Sequence, residues 1–254
     1  MQQQTSTLLE PVYTEEELAS LDPRSIPHHV AVIMDGNRRW AVQHSYPVSA
    51  GHFKGADQLD PIVRAAAAIG VRVLTVYAFS TENWGRSQLE VAFLMQIFET
   101  YLKKKRKQLV QEGVRLQAIG NLDQVPSAVQ RELHRAITAT EQGEKIDLVL
   151  AINYGGRDEI CRGIKKMAQA EKRGEIDFDA LTEKEIARFL DTVAWPDPEL
   201  LIRTSGEKRM SNFLTWQTTY SEIVVSDVLW PDFSQKHFLS AIIEYQQRRR
   251  RFGG

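Results

Sequence analysis

A continuous apolar run that stops at a carboxylate constrains the fold of this chain more than any other stretch. Residues 30–34 are all apolar, which is typical of a strand buried on both faces of a parallel sheet. Asp35 follows directly, and Gly36 and Asn37 tolerate the backbone angles of a tight turn before a helix. Because open α/β sheets bind ligands where their strands end, this unit places a carboxylate at a candidate ligand site.

The rest of the chain alternates between strand and helix patterns. Further strands are predicted over residues 71–80, 114–119, 147–154, 199–202 and 220–226. Helices are predicted over residues 58–69, 89–102, 126–140, 159–172, 181–190 and 238–247. Such alternation predicts an α/β fold, with one domain built on a central, mostly parallel six-stranded sheet flanked by helices. We expect residues 1–27 to form an N-terminal lead-in and residues 28–254 to form the domain.

The charge balance and the cysteine content exclude several classes of protein. The 254 residues include 32 basic and 33 acidic side chains, so no net positive field favours nucleic acid. The one cysteine, Cys161, cannot form an intrachain disulfide, which suits a reducing compartment. The first residues lack a signal-peptide pattern, and no apolar run approaches the roughly 20 residues that span a bilayer. We therefore expect a cytoplasmic protein without a nucleic-acid partner, whose membrane contact is peripheral at most.

Three polar loops follow predicted strands, and each offers groups that bind phosphate. Residues 35–39 combine a carboxylate with two arginines, residues 80–86 form a polar loop with one tryptophan, and residues 203–212 offer two arginines, hydroxyls and a glycine. Carboxylate, guanidinium and helix-start N–H groups together suit a diphosphate with Mg²⁺. Taken singly, the first loop could be a plain turn and the third a solvated basic loop. Nucleotide binding is disfavoured because the chain has neither a P-loop nor a G-x-G-x-x-G pattern.

Two further stretches have both a structural and a functional interpretation. Residues 89–102 are unusually apolar for a surface helix, which predicts either a core or interface helix or the wall of an apolar substrate channel. The basic run at residues 103–107 predicts the solvated C-terminal end of that helix, where cations are favoured. A nuclear-targeting or nucleic-acid-binding signal is the less favoured interpretation of this run.

Together and in order, these stretches match a known family. The chain resembles the cis-prenyltransferases, and most closely the bacterial undecaprenyl diphosphate synthases. The resemblance covers nearly all of the chain after residue 28, and no single block would be specific by itself. The matching blocks are HVAVIMDGNRRWA (29–41), GH (51–52), YAFSTENWGR (77–86), INYGGRDEI (152–160), LIRTSGEKRMSNFLTWQTTYSEI (201–223), DVLWPDF (227–233) and RRFGG (250–254).

The resemblance implies a Mg²⁺-dependent transferase and assigns roles to many residues of these blocks. Asp35 would be catalytic, holding Mg²⁺ and helping the allylic diphosphate to depart, Asn83 would assist proton removal, and Glu222 would be a second Mg²⁺ ligand. The residues that would surround the allylic diphosphate or line the site are Gly36, Asn37, Arg38, Arg39, Trp40, His52, Ser80, Thr81, Glu82 and Trp84. Those that would bind the diphosphate of isopentenyl diphosphate are Arg86, Arg203, Arg209 and Ser211, and Met210 is a further substrate-binding residue.

The resemblance also implies substrates, a tunnel and a dimer. Isopentenyl diphosphate would be condensed with an allylic diphosphate such as farnesyl diphosphate, and the growing chain would lie in an apolar tunnel. Residues 89–102 and the helix before residue 71 are the expected walls, and the small Ala78 resembles the long-chain enzymes. The Arg251-x-Gly253 element would reach the site across a homodimer interface.

The chain departs from the family at Val48, where most members have an arginine four residues before His52. A charge-assisted hydrogen bond is worth roughly 1.5–3 kcal/mol, so affinity for the allylic diphosphate is expected to fall about tenfold or more unless Arg38 compensates.

The expected product is a long-chain cis-polyprenyl diphosphate, undecaprenyl diphosphate, which carries cell-wall glycans. A short- or medium-chain synthase is the alternative. A non-catalytic subunit of a heteromeric prenyltransferase is favoured only by Val48, and the retained aspartate and arginines argue against it.

Overall fold

The computed structural model describes residues 11–248, which form an α/β domain around one sheet. Its strands are β1 His29–Ile33, β2 Val73–Ser80, β3 Val114–Ile119, β4 Ile146–Tyr154, β5 Leu200–Arg203 and β6 Glu222–Val225. The strand order is β3-β4-β2-β1-β5-β6, and every neighbouring pair is parallel. The predicted six-stranded α/β fold is therefore confirmed, with a sheet that is parallel throughout.

Helices pack against the sheet. They are α1 Glu15–Ala19, α2 Asn37–Gln43, α3 Val48–Ala68, α4 Gln88–Gln111, α5 Ser127–Thr140, α6 Gly156–Lys172, α7 Glu183–Ala187 and α8 Gln235–Gln247. Every residue of β1, β4 and β5 is buried, as expected for strands covered on both sides. The larger core joins one sheet face to α3, α4, α5 and α8, and a smaller core packs the other face against Phe213 and Leu214.

Helix α3 begins earlier than the sequence predicts. The prediction started this helix at residue 58, whereas the structure starts it at Val48 and carries it through Pro61. Gly51 and Gly55 therefore lie inside a helix, and close packing explains both. A Cβ at Gly51 would lie 2.1 Å from the carbonyl oxygen of Asn37, and one at Gly55 would lie 2.2 Å from the Asn37 side-chain oxygen. These glycines let α3 approach the start of α2 directly.

Helix α4 extends beyond the basic run that was predicted to end it. It continues to Gln111, so residues 103–107 lie in its interior and that prediction is wrong. Lys105 pairs with Asp60 of α3 at 2.5 Å, and Arg106 with Glu132 of α5 at 3.5 Å. Two of the five cations therefore bind acidic partners on neighbouring helices, and Lys103, Lys104 and Lys107 are exposed.

Among residues 11–248, no helix combines the length and the apolar character that crossing a membrane requires.

Candidate functional site

Three strand ends meet at the carboxyl edge of the sheet, and they bring the three polar loops together. Asp35 follows β1, Ser80 ends β2 and Arg203 ends β5, with β1 between the other two strands. Ile33 and Arg203 are direct partners across β1 and β5. The chain leaves β1 toward β2 but leaves β5 toward β6, so a topological switch point lies between β1 and β5. Ligands of such sheets bind at this point.

Asp35 lies at the switch point between two guanidinium groups. Its Oδ2 accepts a hydrogen bond from Arg203 Nη2 at 2.7 Å, and its Oδ1 lies 3.4 Å from Arg39 Nη2. Partial burial works against ionisation of this carboxyl, but the hydrogen bond and charge of Arg203, with the charge of Arg39, hold its pKa below the usual range. The carboxylate is therefore ionised at neutral pH. The Asp35 side chain is 29% exposed to solvent, so a ligand can reach it.

The backbone around Asp35 is fixed by the neighbouring loops. Its N–H donates to Thr204 Oγ1, and its carbonyl oxygen accepts from the Trp230 N–H at 2.9 Å. Gly36 has a φ of +111°, and a Cβ there would lie 2.9 Å from the Leu229 side chain. A glycine is required at this position both by the backbone angle and by the space available.

Arg203 connects the loops that follow β1 and β5. It is almost fully buried, and besides Asp35 it donates to Ser211 Oγ at 2.7 Å and to the Arg209 carbonyl oxygen. Its Nε has no hydrogen-bond partner among residues 11–248. Ser211 and Asn212 both have positive φ, so this loop is held in an uncommon conformation.

A second group of charges lies at the starts of α3 and α4. Glu90 Oε1 lies 3.3 Å from His52 Nε2 and accepts a hydrogen bond from Arg86 Nη1 at 2.8 Å. Burial lowers the pKa of His52 although the hydrogen bond to Glu90 opposes this shift. Sequence reasoning missed Glu90. Its spacing of four residues after Arg86, at a helix start capped by Ser87, was the available signal.

Two polar cavities flank the Asp35 carboxylate. The first, of about 330 Å³, lies over the start of α2. Its polar and charged lining comes from Asp35, Asn37, Arg38, Arg39, His52, Arg86 and Glu90. The second, of about 510 Å³, lies between the loops after β2 and β5. Its lining includes Asp35, Tyr77, Ser80, Glu82, Asn83, Arg86, Arg203, Ser211 and Asn212. Both cavities carry arginine side chains, which bind phosphate oxygens.

The loop after β2 is tied to its neighbours by side-chain hydrogen bonds. Ser80 N–H donates to Asn83 Oδ1 at 3.1 Å, and Trp84 Nε1 donates to Asn153 Oδ1 at 2.7 Å. Glu82 accepts from Asn212 Nδ2 at 2.8 Å, which joins this loop to the one after β5. The amide of Asn83 is therefore held in a fixed orientation at the second cavity.

An apolar cavity of about 140 Å³ lies beneath the first polar cavity. Its polar lining comes from Asn37, His52, Asn83 and Arg86. Most of the other lining residues belong to α3, α4 and β2, and Met34, Leu150 and Trp230 complete the wall. Helix α4 contributes both to the core and to the wall of this cavity, because Val91, Leu102 and Leu109 are core residues whereas other side chains line the cavity. Those facing it are Leu94, Ile97, Phe98 and Tyr101. The role of α4 as the wall of a substrate channel stays a prediction.

Several predicted site residues lie beside these three cavities without lining them. Trp40 is buried behind the loop, where its Nε1 donates to Asp232 Oδ1 at 2.9 Å. Arg209 pairs with Glu207, and Met210 packs in the smaller core. Thr81 donates to Glu82 Oε2 at 3.2 Å. The Arg251-x-Gly253 element lies outside the described residues.

Glu222 does not lie near Asp35 within one chain. It begins β6 and is the partner of Leu200, the first residue of β5, so it lies at the amino edge of the sheet. Its Oε2 accepts from Arg248 at 3.1 Å. Within one chain, Glu222 and Asp35 therefore lie at opposite edges of the sheet, because a parallel register puts strand starts and strand ends at opposite edges. The role of Glu222 as a second Mg²⁺ ligand stays a prediction.

The donor set at Asp35 fits Mg²⁺ that is bound together with a substrate. No group of three or more His, Cys, Asp or Glu side chains that could hold a metal occurs in residues 11–248. Mg²⁺ commonly takes one or two protein carboxylates and completes its shell with waters and substrate phosphates. Asp35, ionised and partly exposed beside two phosphate-sized cavities, meets that description.

Comparison with known proteins identifies the family. The family model described as "Putative undecaprenyl diphosphate synthase" matches residues 33–253. An isoprenyl transferase of Bacillus subtilis (strain 168) is 46% identical over 242 residues, which are 95% of this chain and 92% of that protein. An isoprenyl transferase of Prochlorococcus marinus subsp. pastoris is 48% identical over 234 residues, 92% of this chain and 86% of that protein.

Solved structures agree with the sequence comparison. Lavandulyl diphosphate synthase from Lavandula x intermedia, solved in complex with dimethylallyl diphosphate, is 34% identical with a TM-score of 0.89 and covers 91% of this chain and 100% of its own. A "probable undecaprenyl diphosphate synthase" from Campylobacter jejuni is 30% identical with a TM-score of 0.76, and the match covers 90% of this chain and 99% of that chain. The chain belongs to the cis-prenyltransferases, the isoprenyl transferase family of prenyl diphosphate synthases.

Proposed function

We propose that this protein condenses isopentenyl diphosphate with an allylic diphosphate, with Mg²⁺ as cofactor, to give a long-chain cis-polyprenyl diphosphate. The observation that carries the proposal is the position of Asp35, an ionised carboxylate between two cation-lined cavities with an apolar cavity below. Two diphosphates and one hydrocarbon chain match these three spaces in charge and polarity.

The allylic diphosphate is assigned to the cavity over the start of α2. Arg38 and Arg39 contribute positive charge there, and the first residues of α2 line the same space. The start of a helix favours anions. Asn37 and His52 line both this cavity and the apolar one below, so a diphosphate above would place its hydrocarbon chain among apolar side chains. The complex of the lavandulyl enzyme with dimethylallyl diphosphate supports an allylic ligand in this fold.

Isopentenyl diphosphate is assigned to the cavity between the loops after β2 and β5. Arg86, Arg203 and Ser211 line it, and the unpaired Nε of Arg203 adds a buried donor. Arginine binds phosphate oxygens in a bidentate manner, so these side chains can fix both position and orientation.

In the proposed reaction the allylic C–O bond breaks, the isopentenyl double bond forms the new C–C bond, and a proton leaves the product. Bound Mg²⁺ would be held by Asp35 and would neutralise charge on the departing diphosphate. Arg39 and Arg203 stabilise the same developing charge through preorganised donors. The Asn83 amide accepts a hydrogen bond from the Ser80 N–H and is too weak a base to take up a proton at neutral pH. Asn83 therefore orients the substrate, and a diphosphate oxygen accepts the proton.

The proposed product is undecaprenyl diphosphate, a carrier lipid for cell-wall glycans. Ala78 supports a long product, because this small side chain lines the apolar cavity and leaves room beside β2. The cavity volume of about 140 Å³ favours a second candidate, a short- or medium-chain product, because ligand pockets commonly measure about 300–1,000 Å³. A long product therefore requires the walls formed by α3 and α4 to separate as the chain grows.

A cytoplasmic homodimer is also proposed, with membrane contact that is peripheral at most. Strand β6 is an edge strand of the sheet, and its Ile223 is 39% exposed. If two copies met at this edge in antiparallel orientation, the amino edge of one sheet would lie beside the carboxyl edge of the other. Glu222 would then approach the partner's site, which is consistent with its predicted role as a second Mg²⁺ ligand.

The experiment is an incubation of the purified protein with farnesyl diphosphate, labelled isopentenyl diphosphate and Mg²⁺, with products resolved by chain length. A ladder that ends in long polyprenyl species supports the proposal, and a single short product supports the second candidate. No incorporation, with the Val48→Arg variant also inactive, would favour a non-catalytic subunit instead.

A further inference from the structure

A residue near the end of β4 has a backbone conformation that strands rarely contain. Asn153 has a φ of +50°, in the left-handed region that asparagine tolerates better than most residues. Phe79 of β2 is the partner of Ile152 of β4. The next residue of β2, Ser80, is the partner of Tyr154, so Asn153 is an extra residue on β4 and forms a β-bulge. Bulges redirect a side chain and are common beside active sites.

Asn153 is fully buried, and its side chain connects two neighbouring loops. Its Oδ1 accepts a hydrogen bond from Trp84 Nε1, in the loop after β2, at 2.7 Å. Its Nδ2 donates to the Asn121 carbonyl oxygen, in the loop after β3, at 2.8 Å. An indole N–H only donates and a carbonyl oxygen only accepts, so these two partners fix which way the amide faces.

Trp84 connects this buried amide to the cavity between the loops after β2 and β5. It lies in the short 3-10 helix Thr81–Gly85, between Asn83 and Arg86 in sequence. The Arg86 N–H donates to the Asn83 carbonyl oxygen at 3.1 Å, so one hydrogen-bonded turn carries all three side chains. Asn83 and Arg86 both line the cavity that is assigned to isopentenyl diphosphate. A shift of the Trp84 ring would therefore move two groups that face the ligand.

The bond between Trp84 and Asn153 is better protected from water than a second link of the same loop. Glu82 accepts from Asn212 Nδ2 at the surface, where water competes for both groups. Asn153 is fully buried, so no water would replace the indole N–H if its Oδ1 lost this donor. Movement of Trp84 away from Asn153 is accordingly the more costly of the two.

We propose that Asn153 is a positioning residue: through its hydrogen bond to Trp84 it holds the loop after β2 in the conformation that binds isopentenyl diphosphate. The inference rests on the proposed function of the cavity between the loops after β2 and β5. Asn153 is not among the residues that line this cavity, so it acts through Trp84 and not on the substrate. The left-handed backbone belongs to the same arrangement, because the bulge directs the amide toward the indole.

Binding of isopentenyl diphosphate alone, measured by calorimetry, tests this role without turnover. Asn153→Gly removes the amide but suits the positive φ, and Trp84→Phe keeps an aromatic ring but removes the N–H. In each variant Kd should rise about tenfold, as for the loss of one charged hydrogen bond. The double variant should bind no more weakly than the weaker single variant, because both changes remove the same bond. Wild-type Kd in both single variants, or losses that add, would overturn the proposal.

Two further variants separate positioning from stability. Asn153→Asp keeps an oxygen acceptor for Trp84 but loses the donor to Asn121, so Tm should fall while Kd stays within about threefold of the wild-type value. Thr140→Ala is the control for destabilisation, because the buried Thr140 Oγ1 accepts from the Leu116 N–H at 3.0 Å outside the site. It should lower Tm and leave Kd unchanged. A Kd in Asn153→Asp as high as that in Asn153→Gly would assign the effect to the Asn121 bond and contradict the proposal.

Tryptophan fluorescence distinguishes failure of this proposal from failure of the proposed function. Asn153→Gly should shift the Trp84 emission to longer wavelength, because the indole loses its partner and meets water, and the shift should be absent in the Trp84→Phe background. Without this shift Trp84 is held by other contacts, and the proposal fails. If the shift occurs but Asn153→Gly binds isopentenyl diphosphate as well as the wild-type protein does, the positioning role is wrong. If the shift occurs and the wild-type protein neither binds nor incorporates isopentenyl diphosphate, the anchor stands and the proposed function is wrong.

Discussion

At the scale of single residues, Asp35 contributes its negative charge to a cluster of cations. Replacing Asp35 with Asn keeps the shape and a hydrogen-bond acceptor for Arg203 but removes that charge and the metal-binding carboxylate. We expect kcat to fall by about 10²-fold or more, the usual cost of losing a preorganised electrostatic group. Turnover is measured with labelled isopentenyl diphosphate and folding by thermal denaturation. Asp177→Asn, at an exposed helix cap, is the control, and more than a tenth of wild-type turnover in Asp35→Asn would contradict the metal role.

Val48 is a second residue with a testable consequence. It opens α3 one turn before His52, so its side chain lies on the same side of the helix as the cavity-lining histidine. Val48→Arg adds a cation near the allylic diphosphate, and KM for farnesyl diphosphate should fall about tenfold with kcat little changed. Val48→Gln, of similar length but uncharged, controls for side-chain size. An unchanged KM in Val48→Arg would show that Arg38 already meets this need.

At the scale of elements, strands were predictable and two helices were not. The apolar runs predicted the ends of β1 to β6 to within a few residues, because a buried strand is apparent from its own apolar residues. Gly51 and Gly55 resemble helix breakers locally, and only the approach of α2 shows why α3 needs them. Residues 103–107 resemble a helix end until their acidic partners on α3 and α5 are known. Tertiary contacts decided both cases.

The contact between α2 and α3 yields a prediction. In Gly55→Ala the new Cβ would lie 2.2 Å from Asn37 Oδ1, so Asn37 must move at the floor of the first polar cavity. Overpacking of this kind costs about 1–3 kcal/mol, which lowers Tm by several degrees. KM for the allylic diphosphate should rise as well. Gly85→Ala, where a Cβ has open space, should change neither quantity, and wild-type behaviour of both variants would argue against tight α2–α3 packing.

At the scale of the whole molecule, the site is a product of sheet register. Loops that are far apart in sequence converge because β2, β1 and β5 are parallel neighbours, which the alternation of strands and helices already implied. The same register separates Glu222 from Asp35, because Glu222 begins its strand whereas Asp35 follows one. Glu90 was not predicted as a site residue, because its contacts with His52 and Arg86 depend on how α3 and α4 pack together.

The stability of the whole domain should depend on pH through His29. This fully buried side chain at the start of β1 bonds the Pro196 carbonyl oxygen and Thr75 Oγ1, both at 2.7 Å. Burial lowers the pKa of His29 to about 4, although the hydrogen bond to Pro196 opposes the shift. The unfolded chain, with a histidine pKa of about 6.5, therefore binds a proton that the folded chain excludes between these two values.

The free energy of unfolding should accordingly be independent of His29 above pH 6.5 and fall as pH decreases toward 4, by about 3 kcal/mol in total. Urea denaturation at pH 7.5 and pH 4.5 measures the change. His29→Gln keeps hydrogen-bonding groups but does not titrate, so the difference in pH dependence between it and the wild type isolates His29 from the carboxylates. If the free energy of unfolding varied with pH in the same way in both proteins, His29 would be protonated in the folded state. The interpretation of His29 as a buried neutral imidazole between β1 and β2 would then be wrong.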